Sequence, residues 1–192
     1  MSKNKTNNIV FLLDETGSME DCKSDTIGGY NNFLKTQKKS KENIKLSITL
    51  FNSSKIEKRY INEPIENVEL LSEENYNPSN LTPLWDAIGT TIKELNNKKN
   101  VLFVILTDGE ENSSKKFNAK KVKKLIKEKE KKLNWSFLFL GADLNNFNDA
   151  GRLGITQNYS VNKKNMKKAY SELSETVTYY CETGKTKFDN SN

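Results

Sequence analysis

Three short stretches of this chain concentrate the side chains that could do chemistry. They are Asp14-Glu15-Thr16-Gly17-Ser18, Asn80-Leu81-Thr82-Pro83 and Thr107-Asp108-Gly109-Glu110. Among them, Asp14 and Asp108 offer carboxylates, and Thr16, Ser18 and Thr82 offer hydroxyls. The chain has no histidine, which removes the commonest general base, the commonest transition-metal ligand and any Ser-His-Asp triad. What remains is an all-oxygen donor set. Hard cations prefer such sets, so the expected ion is Mg²⁺, with Mn²⁺ or Ca²⁺ as alternatives. Two ionised carboxylates would balance a dication and leave a position open for water or for a partner's carboxylate. Without a cation they would repel, and one would tend to keep its proton.

The elements that must position these residues follow from periodicity. Residues 8–13 (NIVFLL) form a nearly continuous apolar run that ends at Asp14, and they read as a strand buried on both faces. A helix follows, with Ile27, Tyr30 and Leu34 on one side. Residues 44–51 and 55–61 alternate in polarity around Asn52-Ser53-Ser54 and read as a hairpin. Residues 64–71 are ambiguous between a short helix and a turn. A helix is expected to begin near Pro83, with Leu84, Ile88, Ile92 and Leu95 at helical spacing. Residues 101–107 (VLFVILT) are a second buried strand that ends at Asp108. Residues 118–133 form a basic amphipathic helix, 135–140 a strand, 145–153 a short helix, 157–161 a short strand and 163–181 a last helix.

Strands that alternate with helices in this way predict an α/β fold: a doubly wound, mostly parallel six-stranded sheet with helices on both faces. The tight hairpin forces one antiparallel strand, best placed at an edge. Residues 1–182 read as one domain and 183–192 as a polar tail. In a doubly wound sheet, ligands sit beyond the carboxyl ends of the strands, where the strand order reverses. If the first and fourth strands are neighbours, Asp14 and Asp108 fall side by side, and Thr82 can reach them from the adjacent helix start.

At this point a resemblance becomes specific. The Val10–Met19 segment, with D-x-T-x-S at Asp14, Thr16 and Ser18, resembles the first part of the metal-ion-dependent adhesion site of the von Willebrand factor A family, D-x-S-x-S. Thr82 in L-T-P-L-W-D-A-I resembles that family's helix-start threonine, and Asp108 in I-L-T-D-G its strand-end aspartate. The likeness runs over nearly the whole chain. It implies a Rossmann-like sheet with one antiparallel edge strand and a module that binds a partner without catalysis. By the same likeness, Thr16 and Ser18 would ligate a metal directly, and Thr82 directly or through water. Asp14 and Asp108 would hold it mostly through water, and an Asp or Glu carboxylate of a protein partner would take the open position. Thr16 departs from the family's usual serine; it keeps the hydroxyl and adds a methyl. The segments I-G-G-Y-N-N-F-L and T-P-L-W-D-A-I are similar to compact bacterial and phage members.

Each piece also has an ordinary structural explanation. Ser18 could be a helix cap with Asp21 completing a capping box, Thr82-Pro83 a cap followed by proline, and Asp108-Gly109 a simple turn. An enzymatic alternative exists too. D-E-T-G-S resembles the phosphoryl-transfer loop of haloacid-dehalogenase-type hydrolases, with Asp14 as the nucleophile and Mg²⁺ assisting. That reading leaves the L-T-P-L-W-D-A-I helix start unexplained.

Lysine and arginine outnumber aspartate and glutamate by 31 to 25, a net charge of +6. The segment from Lys115 to Lys132 carries much of the excess around an apolar stripe of Val122, Leu125, Ile126 and Leu133. A solvated helix face is the expectation there, with nucleic acid or an anionic surface as the less favoured partner. No run approaches the roughly 20 apolar residues of a membrane span. Met1-Ser2-Lys3-Asn4 leads into the first strand without the apolar core of a signal peptide, so a reducing cytoplasm is expected. Cys22 and Cys181 are expected to be free thiols.

Overall fold

A computed structural model describes residues 5–40, 42–95, 97–142, 146–161 and 166–186. The strands are β1 (Asn7–Asp14), β2 (Ile44–Phe51), β3 (Ile56–Pro64), β4 (Val101–Thr107), β5 (Ser136–Ala142) and β6 (Asn158–Val161). The helices are α1 (Lys23–Lys39), α2 (Leu84–Glu94), α3 (Ala119–Leu133), α4 (Asn146–Leu153) and α5 (Met166–Thr183). The strands form one six-stranded sheet in the order β3-β2-β1-β4-β5-β6. Every pairing is parallel except that of β2 with the edge strand β3.

The apolar runs explain the two covered faces. Successive side chains of a strand point to opposite sides. Ile9, Phe11 and Leu13 of β1 therefore pack with Tyr30 and Phe33 of α1 and Tyr170 and Leu173 of α5. Val10 and Leu12 pack with α2, α3 and α4 on the other side. Every residue of β4 is buried, as a central strand between two helical layers requires. The edge strand β3 has no fully buried position, and Ile61 is open to solvent.

Several boundaries move. The hairpin's second strand runs on to Pro64 and ends in a 3₁₀ turn, Ile65–Asn67, within the ambiguous segment. α3 opens at Asn118, whose side chain accepts a hydrogen bond from the Lys121 N–H at 3.0 Å. Asn145 and residues 163–165, placed in helices from the sequence, lie outside the described residues. The last helix continues to Thr183, and Gly184 ends it with φ +73° and an N–H donated to the Tyr180 carbonyl. Thr186 is buried, and residues 187–192 lie outside the described set.

The lysine helix departs from expectation at one residue. Lys129 is only 5% exposed, with Nζ 5.5 Å from the Trp135 ring centroid. Its long apolar stem covers the sheet beside Val122 and Ile126 while the aromatic face receives the charge. Cys22 and Cys181 are both buried thiols outside any disulfide. Among the described residues, no helix is long and apolar enough to cross a membrane.

Candidate metal centre

The strand register sets the site. Leu13 of β1 pairs with Leu106 of β4, so Asp14 and Asp108 leave the sheet at the same end. Asp14 closes β1, and the chain then enters a 3₁₀ turn, Gly17–Cys22, that precedes α1. The five residues expected to form the site come together. Ser18 Oγ donates to Asp108 Oδ1 at 2.6 Å. Thr16 Oγ1 and Ser18 Oγ are 3.2 Å apart, and Thr82 Oγ1 donates to Thr16 Oγ1 at 3.3 Å. Asp14 Oδ1 accepts the Thr16 N–H at 2.7 Å.

A hydroxyl has one proton to give. Ser18 gives its proton to Asp108, so Thr16 must donate to Ser18, and Thr82 donates to Thr16. All three O–H bonds run toward Asp108. The capping explanations of Ser18 and Thr82 do not fit the same geometry. Thr16 occupies the cap of the 3₁₀ turn without a side-chain capping bond, and the Ser18 hydroxyl is committed to Asp108. Pro83, not Thr82, precedes the first residue of α2, and the Thr82 hydroxyl turns back to Thr16.

Supporting residues were not all visible beforehand. Thr107 donates to Asp14 Oδ2 at 2.5 Å and so joins the two strand ends. The sequence signal for it, a hydroxyl beside Asp108, was present but uninformative by itself. Glu15 is almost fully buried and holds the loop that delivers Thr82. Its Oε1 accepts the Asn77 N–H at 2.8 Å, and Oε2 lies 3.0 Å from Lys55 Nζ. The Tyr76 hydroxyl donates to the Asp14 carbonyl at 2.6 Å, and Asn112 Oδ1 accepts the Thr82 N–H at 2.8 Å. The ring of loops is thus tied on every side before any ligand arrives.

The electrostatics fit a cation. Burial pushes the Asp14 carboxyl up to about 7; the Asp108 charge adds to the rise, and hydrogen bonds from Thr107 and Thr16 oppose it. Among the described residues, no cluster of three or more His, Cys, Asp or Glu could hold a metal, so any ion here must rely on the hydroxyls as well as the two carboxylates. The cradle also depends on a missing side chain. A Cβ on Gly109 would stand 2.7 Å from Thr82 Oγ1 and 3.2 Å from Ser18 Oγ. If the cradle holds a divalent cation, Gly109→Ala is expected to weaken its binding at least about tenfold, because it displaces the Thr82 hydroxyl, with the circular dichroism spectrum unchanged. Unaltered affinity by calorimetry would separate the cradle from the ion.

No family model matches the chain. No curated protein matches its sequence. Solved structures do match. The vWF domain of the type V pili tip protein Mfa5 from Porphyromonas gingivalis aligns with a TM-score of 0.64 over 94% of this chain and 98% of that one, at 11% identity. The fold is that of a von Willebrand factor A domain. Proximal thread matrix protein 1 from the mussel byssus shares this vWA-type fold with a TM-score of 0.63 and 12% identity, over 93% of this chain and 47% of its own. The chain thus spans about half the length of the mussel protein, which has also been solved with a zinc-occupied MIDAS motif. The manganese-loaded TRAP protein of Plasmodium vivax aligns with a TM-score of 0.56 and 15% identity, over 86% of this chain and 72% of that one.

Proposed function

We propose that this chain is a divalent-cation-dependent protein-binding module. In this reading Asp14, Thr16, Ser18, Thr82 and Asp108 hold one Mg²⁺, and a carboxylate of a protein partner completes its coordination. The observation that carries the reading is the unbroken run of side-chain contacts, each 3.3 Å or shorter, from Thr82 through Thr16 and Ser18 to Asp108, with the Asp14 carboxylate tied to the same loop by the Thr16 backbone N–H. The donor set is the hard, oxygen-only kind that Mg²⁺ takes, and Mn²⁺ would fit the same ligands. The manganese and zinc forms of two neighbours of the same fold favour a divalent ion in this position.

Phosphoryl transfer with Asp14 as nucleophile has less support. Asp14 is 0% exposed, and its two oxygens accept hydrogen bonds from the Thr16 N–H and the Thr107 hydroxyl. A nucleophile must itself reach the phosphorus, whereas a buried carboxylate can hold a cation through water.

Calorimetric titration of the metal-stripped chain with MgCl₂ and MnCl₂ tests the proposal. One site per chain is expected. Asp108→Ala is expected to lower its affinity by about 100-fold or more, since one of only two charged donors is lost. Equal binding by Asp108→Ala, or no binding by the parent, would end the proposal.

A further inference from the structure

A groove of about 610 Å³ opens next to the candidate metal centre, between the β2–β3 turn, the start of α2 and the loop after β4. Leu81 and Pro83, the two neighbours of Thr82 in sequence, both line it. The groove therefore begins one residue from the hydroxyl cradle. Four lysines line it as well: Lys55, Lys58, Lys115 and Lys116.

The lysines are not equally engaged. Lys55 is engaged by Glu15 and Glu57, at 3.0 and 2.7 Å, and Lys58 by Glu94 at 2.6 Å. The remaining lining carboxylate, Asp86, is spent on the backbone. It accepts the N–H groups of Lys115, Lys116 and Phe117 at 2.8, 2.9 and 2.7 Å. No carboxylate among the described residues pairs with the ammonium groups of Lys115 and Lys116, and both side chains are exposed. The clamp has a second effect: it fixes the backbone from which these lysines rise, so only side-chain freedom is lost when they meet an anion. Glu111 tightens the same loop by accepting the Trp85, Ser113 and Ser114 N–H groups at 2.8, 2.9 and 2.7 Å.

Leu81, 56% exposed, is a large apolar side chain left open on the groove wall. Two ammonium groups without an ion-pair partner among the described residues and an aliphatic contact, beside a site that would take a carboxylate, describe one kind of ligand. We propose that the groove binds an acidic peptide segment of the partner, with one carboxylate at the cation and the next ones along Lys115 and Lys116. This rests on the reading of the metal centre given above. The lining has no arginine and no stacking aromatic ring, which argues against nucleic acid.

The test uses fluorescence anisotropy on the full chain with three labelled probes: a glutamate-rich heptapeptide, the same peptide with a single glutamate, and a thymidine oligonucleotide. The variant is Lys115→Gln/Lys116→Gln, two exposed changes that leave the Asp86 backbone clamp in place. With Mg²⁺ present, the glutamate-rich peptide is expected to bind the parent and to lose roughly tenfold in affinity and much of its salt dependence in the variant. The single-glutamate peptide is expected to bind both proteins equally. Equal binding of the glutamate-rich peptide to parent and variant, no binding to the parent, or capture of the oligonucleotide in its place would each overturn the proposal. Loss in the variant with equal binding in EDTA and Mg²⁺ would keep the groove and remove the metal centre, so the two readings fail separately.

Discussion

Saturating Mg²⁺ is expected to raise the melting temperature of this chain clearly at about pH 8 and hardly at all at about pH 5. The cause is Asp14. Its carboxyl titrates at 3.8 when unperturbed and at about 7 in the metal-free fold, chiefly through burial. Between those values the folded chain holds a proton that the unfolded chain has released. Metal-free stability is therefore full below about pH 4 and falls as pH rises toward about 7, by an amount on the order of 4 kcal/mol. Above that window the charged, buried carboxylate is a constant cost, and a bound dication offsets it. Below it, the proton competes with the cation, and each pH unit weakens binding about tenfold.

Asp14→Asn supplies the decisive comparison. The amide keeps an oxygen for the Thr16 N–H and can donate to Thr107 Oγ1, whose hydroxyl can turn to the Gly109 carbonyl 3.1 Å away. The variant is expected to be more stable than the parent without metal at about pH 8, to lose the pH dependence in this window, and to ignore Mg²⁺. A thermal shift by Mg²⁺ that survives at about pH 5, or in Asp14→Asn, would mean that the ion binds elsewhere.

The second large effect separates two adjacent glycines of α1. A Cβ on Gly29 would lie 2.1 Å from Tyr170 Cδ2, inside the contact between α1 and α5. The Tyr170 ring cannot give way, because it is buried and stacked on Phe11 with centroids 6.4 Å apart. A Cβ on Gly28 would meet nothing within 4 Å. Alanine in a helix gains about 1 kcal/mol over glycine from propensity alone. At residue 28 that gain stands, so Gly28→Ala is expected to stabilise by about 0.5–1 kcal/mol. At residue 29 overpacking of about 1–3 kcal/mol or more wins, so Gly29→Ala is expected to destabilise by about 2 kcal/mol and lower the melting temperature by several degrees. Urea unfolding of both variants checks the pair. Two variants that shift in the same direction would contradict the packing of α5 on α1.

Much of the architecture was readable from the one-dimensional pattern because burial on both faces leaves a direct trace. NIVFLL, VLFVILT and WSFLFL read as buried strands between helical layers, and the alternating pair around Asn52-Ser53-Ser54 as a hairpin. Asp14 and Asp108 stand where those runs stop, so their place at the strand ends followed from the same signal. Residue chemistry was readable too, since a chain without histidine leaves oxygen donors for any metal.

What only the tertiary structure decided concerns directions and partners, which depend on neighbours distant in sequence. The adjacency of β1 and β4 turned two separate strand ends into one site, and it alone brought the Thr107 hydroxyl to Asp14. The common direction of the Thr82, Thr16 and Ser18 hydroxyls exists only once the three stand in a row that ends at Asp108. Nothing in the local sequence marks Asp86, Glu15 or Lys129 for burial, yet the fold buries each against backbone N–H groups, an opposite charge or an aromatic ring. Local pattern reports how much of a segment is buried. Which group lies across the gap is set by the packing of segments scores of residues apart, and hydrogen bonds and charge pairs act only at that contact.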